Sequence, residues 1–154
     1  MVKAYKVPGL RYGFRYYDQD DHGSVPLIAE YDALHFIFDG YKADLAKALA
    51  RPAWVQEHFE EVSRRMGYAQ QPPEFMLDLL GRQSTATDPA KAIEFFQMNT
   101  EAYPASAHAH AMLAGALAAK GEKGRAIAEY QKALELKPGR APWKEALAKL
   151  QSAK

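Results

Sequence analysis

Hydrophobic positions recur at helical spacing along most of the chain. From Pro26 onward, Leu27, Tyr31, Leu34 and Phe38 fall on one face of a predicted helix. The neighbouring positions on this segment are also largely apolar, which is typical of a helix that packs against a sheet. The pattern therefore predicts an apolar helix over 27–38.

Two further helices are predicted before the middle of the chain. The segment KADLAKALA favours a short helix. Pro52 then begins a longer one, in which Val55, Phe59 and Val62 form the apolar stripe and Gly67 marks the end. Both helices lie in a stretch that we interpret as a helical linker, 41–72.

The segment LRYGFRYY, Leu10–Tyr17, has the aromatic content of a strand. It is the one strand that the pattern predicts, and its backbone N–H and C=O groups need a partner. That partner is either a sheet that the chain does not contain or a second copy of the same segment.

The second half of the chain contains an internal repeat with a period of 34 residues. The stretch 88–104 aligns with 122–138, and the matched positions carry small, aliphatic, aromatic and proline residues. The matched pairs are Ala92 and Ala126, Ile93 and Ile127, Phe96 and Tyr130, and Pro104 and Pro138.

This pattern resembles the tetratricopeptide repeat, in which small residues let two antiparallel helices approach and large ones fill the gaps. The resemblance implies two helical hairpins, 73–106 and 107–140, with the first hairpin the more degenerate. A capping helix is predicted over 142–152. Since about three repeats are normally needed for stability, another element must cover the open end of the first hairpin.

Composition and charge narrow the classes of function. The 154 residues carry 20 Lys and Arg against 19 Asp and Glu, which gives no electrostatic reason to expect a nucleic acid or a membrane as partner. The absence of Cys excludes disulfides, a thiolate nucleophile and Cys-ligated zinc. No apolar run is long enough for a transmembrane helix.

The segment DQDDHGSVPL, 18–27, carries the strongest candidate chemistry. A predicted strand, a polar turn containing His22 and an apolar helix resemble the end of an α/β-hydrolase serine esterase of the siderophore-esterase type. Such esterases place their catalytic histidine between the last strand and the last helix. The resemblance implies that His22 is a general base, which takes the proton of a serine hydroxyl and returns it to the leaving alcohol.

The other members of a catalytic triad are missing from the sequence. No G-x-S-x-G motif occurs, and Ser24 lies in the turn without a nucleophile elbow. Asp18, Asp20 and Asp21 precede His22, whereas the fold takes its acid from an earlier loop. The resemblance thus implies a C-terminal fragment of an esterase that is inactive alone, with residues 1–40 from the hydrolase domain and residues 73–152 as a repeat tail.

Metal and cofactor sites are not expected. The same four residues, Asp18, Asp20, Asp21 and His22, are of metal-ligand type, but they lack the glycine and distal glutamate of a calcium loop. His108 and His110 are two residues apart on a predicted helix and point in nearly opposite directions.

The inner face of the second hairpin is a candidate interaction groove. It is predicted to consist of small, uncharged residues with one histidine, which favours close approach of another helix over capture of a terminal carboxylate. Its residues are His108, Ala111, Gly115, Ala118 and Ala119.

The sequence leaves three functions open. The first is a packing and interaction module of an esterase, with the upstream hydrolase domain or a second copy of the chain as its partner. The second is an independent tetratricopeptide adaptor that binds other proteins. The third is a hydrolase that uses these 154 residues alone. The compartment stays open, although the resembling esterases are often exported.

Overall fold

The computed structural model describes residues 15–21, 23–38 and 40–152. Within them the protein is mainly helical, as predicted, and no strand is present. The helices run in the order α1 (Val25–Ile37), α2 (Leu45–Ala50), α3 (Ala53–Met66), α4 (Glu74–Ser84), α5 (Pro89–Ala102), α6 (Ala107–Ala119), α7 (Lys123–Leu136) and α8 (Ala141–Ser152).

Local chemistry explains where these helices begin and end. Asp88 accepts a hydrogen bond from the backbone N–H of Lys91 at the start of α5, and Ser106 accepts one from Ala109 at the start of α6. Gly67 ends α3 with φ of 76°, a left-handed conformation that glycine adopts without steric cost.

The chain divides into two compact units, Met1–Lys42 and Ala43–Lys154. The described part of the first unit contains α1 and the turn before it. The second unit contains α2 to α8 and all of the fully buried side chains among the described residues. Each unit is described by itself below.

The helices of the second unit pack in chain order from α4 onward, each against the next. Helix α7 begins and ends 34 residues after α5 does, so the period of the sequence reappears in the helix boundaries. Close approach is marked at Gly81 in α4, where an added Cβ would lie 2.5 Å from the Phe96 ring.

The open end of the first sequence repeat is covered by α2 and α3. Their buried residues share one hydrophobic cluster with α4 and α5, so the expected covering element comes from the linker. The cluster consists of Ala48, Val55, Phe59, Met76, Leu77, Leu80 and Phe95.

A second hydrophobic cluster joins α5, α6 and α7. Leu150 of α8 packs against it at its edge, which is the contact expected of a capping helix. The buried members are Ala92, Ile93, Phe96, Leu113, Leu117 and Ala126.

The predicted strand Leu10–Tyr17 is wrong in the part that can be compared. Its first five positions, 10–14, lie outside the described residues, and residues 15–17 have no regular secondary structure. The Tyr17 side chain instead hydrogen-bonds to Asp32 of α1. Aromatic residues favour strands only where a sheet surrounds them, and Tyr17 has a helix as its partner.

The apolar helix predicted over 27–38 forms as α1, but none of its residues is buried. The four positions of its apolar stripe are all exposed, Leu27 at 73%, Tyr31 at 63%, Leu34 at 55% and Phe38 at 48%. We call these four residues the α1 apolar face.

Candidate functional site

The turn before α1 contains the sequence-predicted general base. His22 itself lies outside the described residues, so the structure describes only its neighbours. The Asp21 carboxylate accepts hydrogen bonds from the backbone N–H groups of Gly23, at 2.8 Å, and Ser24, at 3.1 Å. These bonds close the turn that leads into α1.

Electrostatics in this turn follow from the same bonds. Hydrogen bonds from the Gly23 and then the Ser24 backbone lower the pKa of the Asp21 carboxyl. The Ser24 hydroxyl donates to Asp20 Oδ1 at 3.0 Å. Because its proton is directed at Asp20, Ser24 is a local structural residue, as the sequence indicated, and both carboxylates act within the turn.

Asp32 of α1 holds the segment that precedes the turn. Its Oδ2 accepts hydrogen bonds from the Tyr17 hydroxyl at 2.7 Å and from Arg15 Nη1 at 2.5 Å. The bond from Tyr17, followed by that from Arg15, lowers the pKa of Asp32, and the bond to Asp32 raises the pKa of Tyr17. The sequence analysis missed this contact, since it treated 10–17 as a strand with outward aromatic side chains.

The predicted interaction groove on α6 offers little open surface. Ala111 is buried, and Ala118 packs against the second hydrophobic cluster. An added Cβ at Gly115 would lie 3.6 Å from the Tyr130 hydroxyl, so this position faces α7. Only His108 and Ala119 of the five predicted residues are exposed.

His108 belongs to a short polar chain between α6 and α4. Its Nε2 lies 3.2 Å from Asp78 Oδ1, and Arg82 Nε donates to Asp78 Oδ2 at 2.9 Å. Asp78 is thus held from both sides, which links the two sequence repeats by charge as well as by packing.

His110 points into the α6–α7 pair and away from His108. Its Nδ1 lies 2.6 Å from Glu129 Oε2, and its Nε2 lies 3.1 Å from the Pro104 carbonyl oxygen. Both ring nitrogens therefore have structural partners, and this histidine fixes the packing of α6.

A cavity that the sequence analysis did not identify lies where α6, the end of α7 and the start of α8 meet. Its volume is about 440 Å³. Its lining combines two basic side chains, one histidine and one indole with small and aliphatic residues. The lining residues are Ala105, Ala107, His108, Leu136, Lys137, Arg140 and Trp143. Comparing the repeats in register beyond Pro138 would have revealed the basic pair.

Two surveys covered the described part of the chain, which excludes His22. No group of three or more His, Cys, Asp or Glu side chains converges there as a metal site. Over the same residues no helix has both the length and the apolar character needed to cross a bilayer.

No protein family matches the chain, and no curated protein is significantly similar to it.

Proposed function

We propose that the chain joins the histidine segment of an α/β-hydrolase serine esterase to a tetratricopeptide-type helical module for packing or protein interaction. The observation that carries this proposal is the α1 apolar face, whose Leu27, Tyr31 and Leu34 are exposed at 73%, 63% and 55%. A contiguous apolar stripe of this kind is typical of a surface that another structure covers. The hydrolase sheet is the proposed cover.

In this proposal the segment 1–40 supplies one member of a catalytic triad. His22 would act as the general base, with the serine and the acid contributed by the preceding hydrolase domain. The hydrogen bonds of Asp21 and Ser24 support a role for the turn in feeding the chain into α1 at a fixed position. The chain alone would not hydrolyse esters, because a triad acts as a unit.

The helical module would pack on the hydrolase domain or on another protein. The 34-residue offset between α5 and α7 supports the repeat interpretation. The shared cluster of α2 to α5 supports a module of which α2 and α3 are an integral part, and which extends beyond the two repeats.

The coding sequence upstream of Met1 tests the esterase proposal most directly. An in-frame G-x-S-x-G motif followed by an aspartate is the expected result. A stop codon directly upstream, in frame, contradicts it. A chromogenic ester assay is the second test, and turnover by the purified chain that His22→Ala abolishes would contradict the proposed inactivity.

An independent adaptor is the alternative function, and one observation favours it. Both hydrophobic clusters lie entirely within Ala43–Lys154, so this unit has its own core. If residues 43–154 expressed alone unfold cooperatively and capture a partner without residues 1–42, the adaptor is favoured over the esterase module.

A further inference from the structure

The two sequence repeats create two equivalent junctions 34 residues apart. The first junction is where the first repeat meets the second, and it contains Glu74, Tyr103 and Ser106. The second junction is where the second repeat meets α8. Its corresponding residues are His108, Lys137 and Arg140. The two sites therefore have the same place in the fold and different charges.

The first junction is closed by the chain's own carboxylate. The Ser106 hydroxyl donates to Glu74 Oε1 at 2.5 Å. The Tyr103 hydroxyl donates to the Pro72 carbonyl oxygen at 3.0 Å. A carboxylate thus fits at this position of a junction, and it has a hydrogen-bond donor there.

The second junction has the opposite charge and no such closure. Lys137 and Arg140 replace a tyrosine and a serine, and His108 replaces the glutamate. Neither basic side chain forms an ion pair with any carboxylate in the described part of the chain. Arg140 lies over the Trp143 ring, 5.1 Å from its centroid, which orients the guanidinium at the cavity.

We propose that the second junction binds a carboxylate group from another molecule, in the place that Glu74 occupies at the first junction. The cavity of about 440 Å³ falls within the size range of ligand sites. Arg140 offers a planar set of donors that matches a carboxylate, and Lys137 adds a second positive charge. Asp78 engages His108 at 3.2 Å and is already paired with Arg82.

This inference is independent of the esterase and adaptor proposals, since it rests only on the second unit. The carboxylate can come from a free small acid or from an acidic side chain of a peptide. The two sources share the same chemistry, and a titration separates them.

The test is a nuclear magnetic resonance titration of the full chain at constant ionic strength. Succinate and a short blocked peptide with two adjacent glutamates are the probes, and sodium chloride is the reference salt. We expect the indole resonance of Trp143 and the amides of Lys137 and Arg140 to move. A shift with succinate alone assigns a small acid, and one with the peptide alone assigns a peptide side chain. Trp54→Phe identifies the Trp143 signal.

Variants that copy the first junction sharpen the test. Arg140→Ser and Lys137→Tyr restore the residues of the first junction, and each should weaken binding by about fivefold, as for an exposed ion pair. His108→Glu supplies an internal carboxylate and should abolish binding. Lys149→Gln removes a charge elsewhere on α8 and should leave binding unchanged.

Three results would overturn the proposal. The first is that neither probe moves any second-junction resonance beyond the chloride reference. The second is that Lys149→Gln weakens binding as much as Arg140→Ser does, which indicates only general charge attraction. The third is unchanged binding in both Arg140→Ser and Lys137→Tyr while their α6 to α8 resonances show a retained fold.

Discussion

At the scale of single residues, two equivalent glycines differ in the space around them. Gly81 and Gly115 occupy the same position of the two sequence repeats. An added Cβ would lie 2.5 Å from Phe96 at the first and 3.6 Å from Tyr130 at the second. Phe96 is buried, so its ring cannot move aside without disturbing the second hydrophobic cluster.

We expect Gly81→Ala to lower the free energy of unfolding by about 1–2 kcal/mol, because overpacking outweighs the gain in helix propensity. Gly115→Ala is the matched variant and should raise it by about 0.5–1 kcal/mol, since only the propensity changes. Urea unfolding followed by circular dichroism measures both. Equal effects of the two variants would contradict the close approach at Phe96.

Asn99 is a second residue whose environment departs from its equivalent. It is fully buried, and neither its side-chain oxygen nor its nitrogen has a hydrogen-bond partner among the described residues. The corresponding residue of the second repeat is Ala133, which is also fully buried. The amide is thus a cost to the fold of the first repeat.

Asn99→Leu keeps the branching of the side chain and removes both polar atoms. We expect it to raise the free energy of unfolding by about 1–2 kcal/mol, again measured by urea unfolding. Ala133→Asn is the reciprocal control and should lower it. A clear loss of stability in Asn99→Leu would indicate that the amide has a partner, such as a buried water.

At the scale of elements, the segment before α1 is fixed by side chains in place of sheet hydrogen bonds. The Tyr17 hydroxyl and Arg15 both donate to Asp32, so a carboxylate on the helix holds residues 15–17. The bond to Asp32 raises the pKa of Tyr17, and the same bonds lower the pKa of Asp32.

These shifts give this contact a defined pH range. Since the pKa of Tyr17 is raised in the folded chain, its bond stabilises the fold below the ordinary tyrosine value of about 10, and the effect is lost as the pH rises through the folded pKa. Since the pKa of Asp32 is lowered, its contribution is present above about 4 and is lost as the pH falls through the folded pKa.

A carbon nuclear magnetic resonance titration of the Tyr17 ring measures this effect. We expect its pKa to lie above that of an exposed tyrosine and to fall towards the ordinary value in Asp32→Asn. Asp18→Asn removes a nearby carboxylate that does not contact Tyr17, and it should leave the titration unchanged. A Tyr17 pKa that is insensitive to Asp32→Asn would refute the contact.

The helices were predictable where local chemistry defines them. Pro52 and Gly67 bound α3 as expected, because a proline start and a left-handed glycine end depend on neighbouring residues only. The strand over 10–17 failed at Tyr17, whose partner, Asp32, is distant in sequence. Likewise the sequence required a cover for the first repeat, but only tertiary packing identifies Val55 and Phe59 as that cover.

The candidate sites were less predictable than the helices. The inner face of α6 has the right residues for a groove, but Ala111 and Ala118 are used for packing, which a single-helix pattern does not show. The basic pair Lys137 and Arg140 gains its meaning only from comparison with Tyr103 and Ser106 one period earlier. Register between repeats was the signal available for that site.

At the scale of the whole molecule, burial is distributed unequally between the two units. The buried side chains of the described chain all belong to the second unit, and α1 has none. An apolar surface such as the α1 apolar face is a site of association when nothing covers it. We therefore expect the chain, purified as given, to self-associate through this face with increasing concentration.

Sedimentation velocity over a wide concentration range tests this expectation. Leu27→Glu combined with Leu34→Glu should give a monomer, because two charges then lie on the α1 apolar face. Phe75→Glu is the matched control, since Phe75 is equally exposed, at 74%, but lies on α4. A monomer at every concentration in the unsubstituted chain would remove the main support for a covered α1. If association occurs and a hydrolase domain is its natural substitute, adding that domain should abolish self-association in the unsubstituted chain and in Phe75→Glu alike.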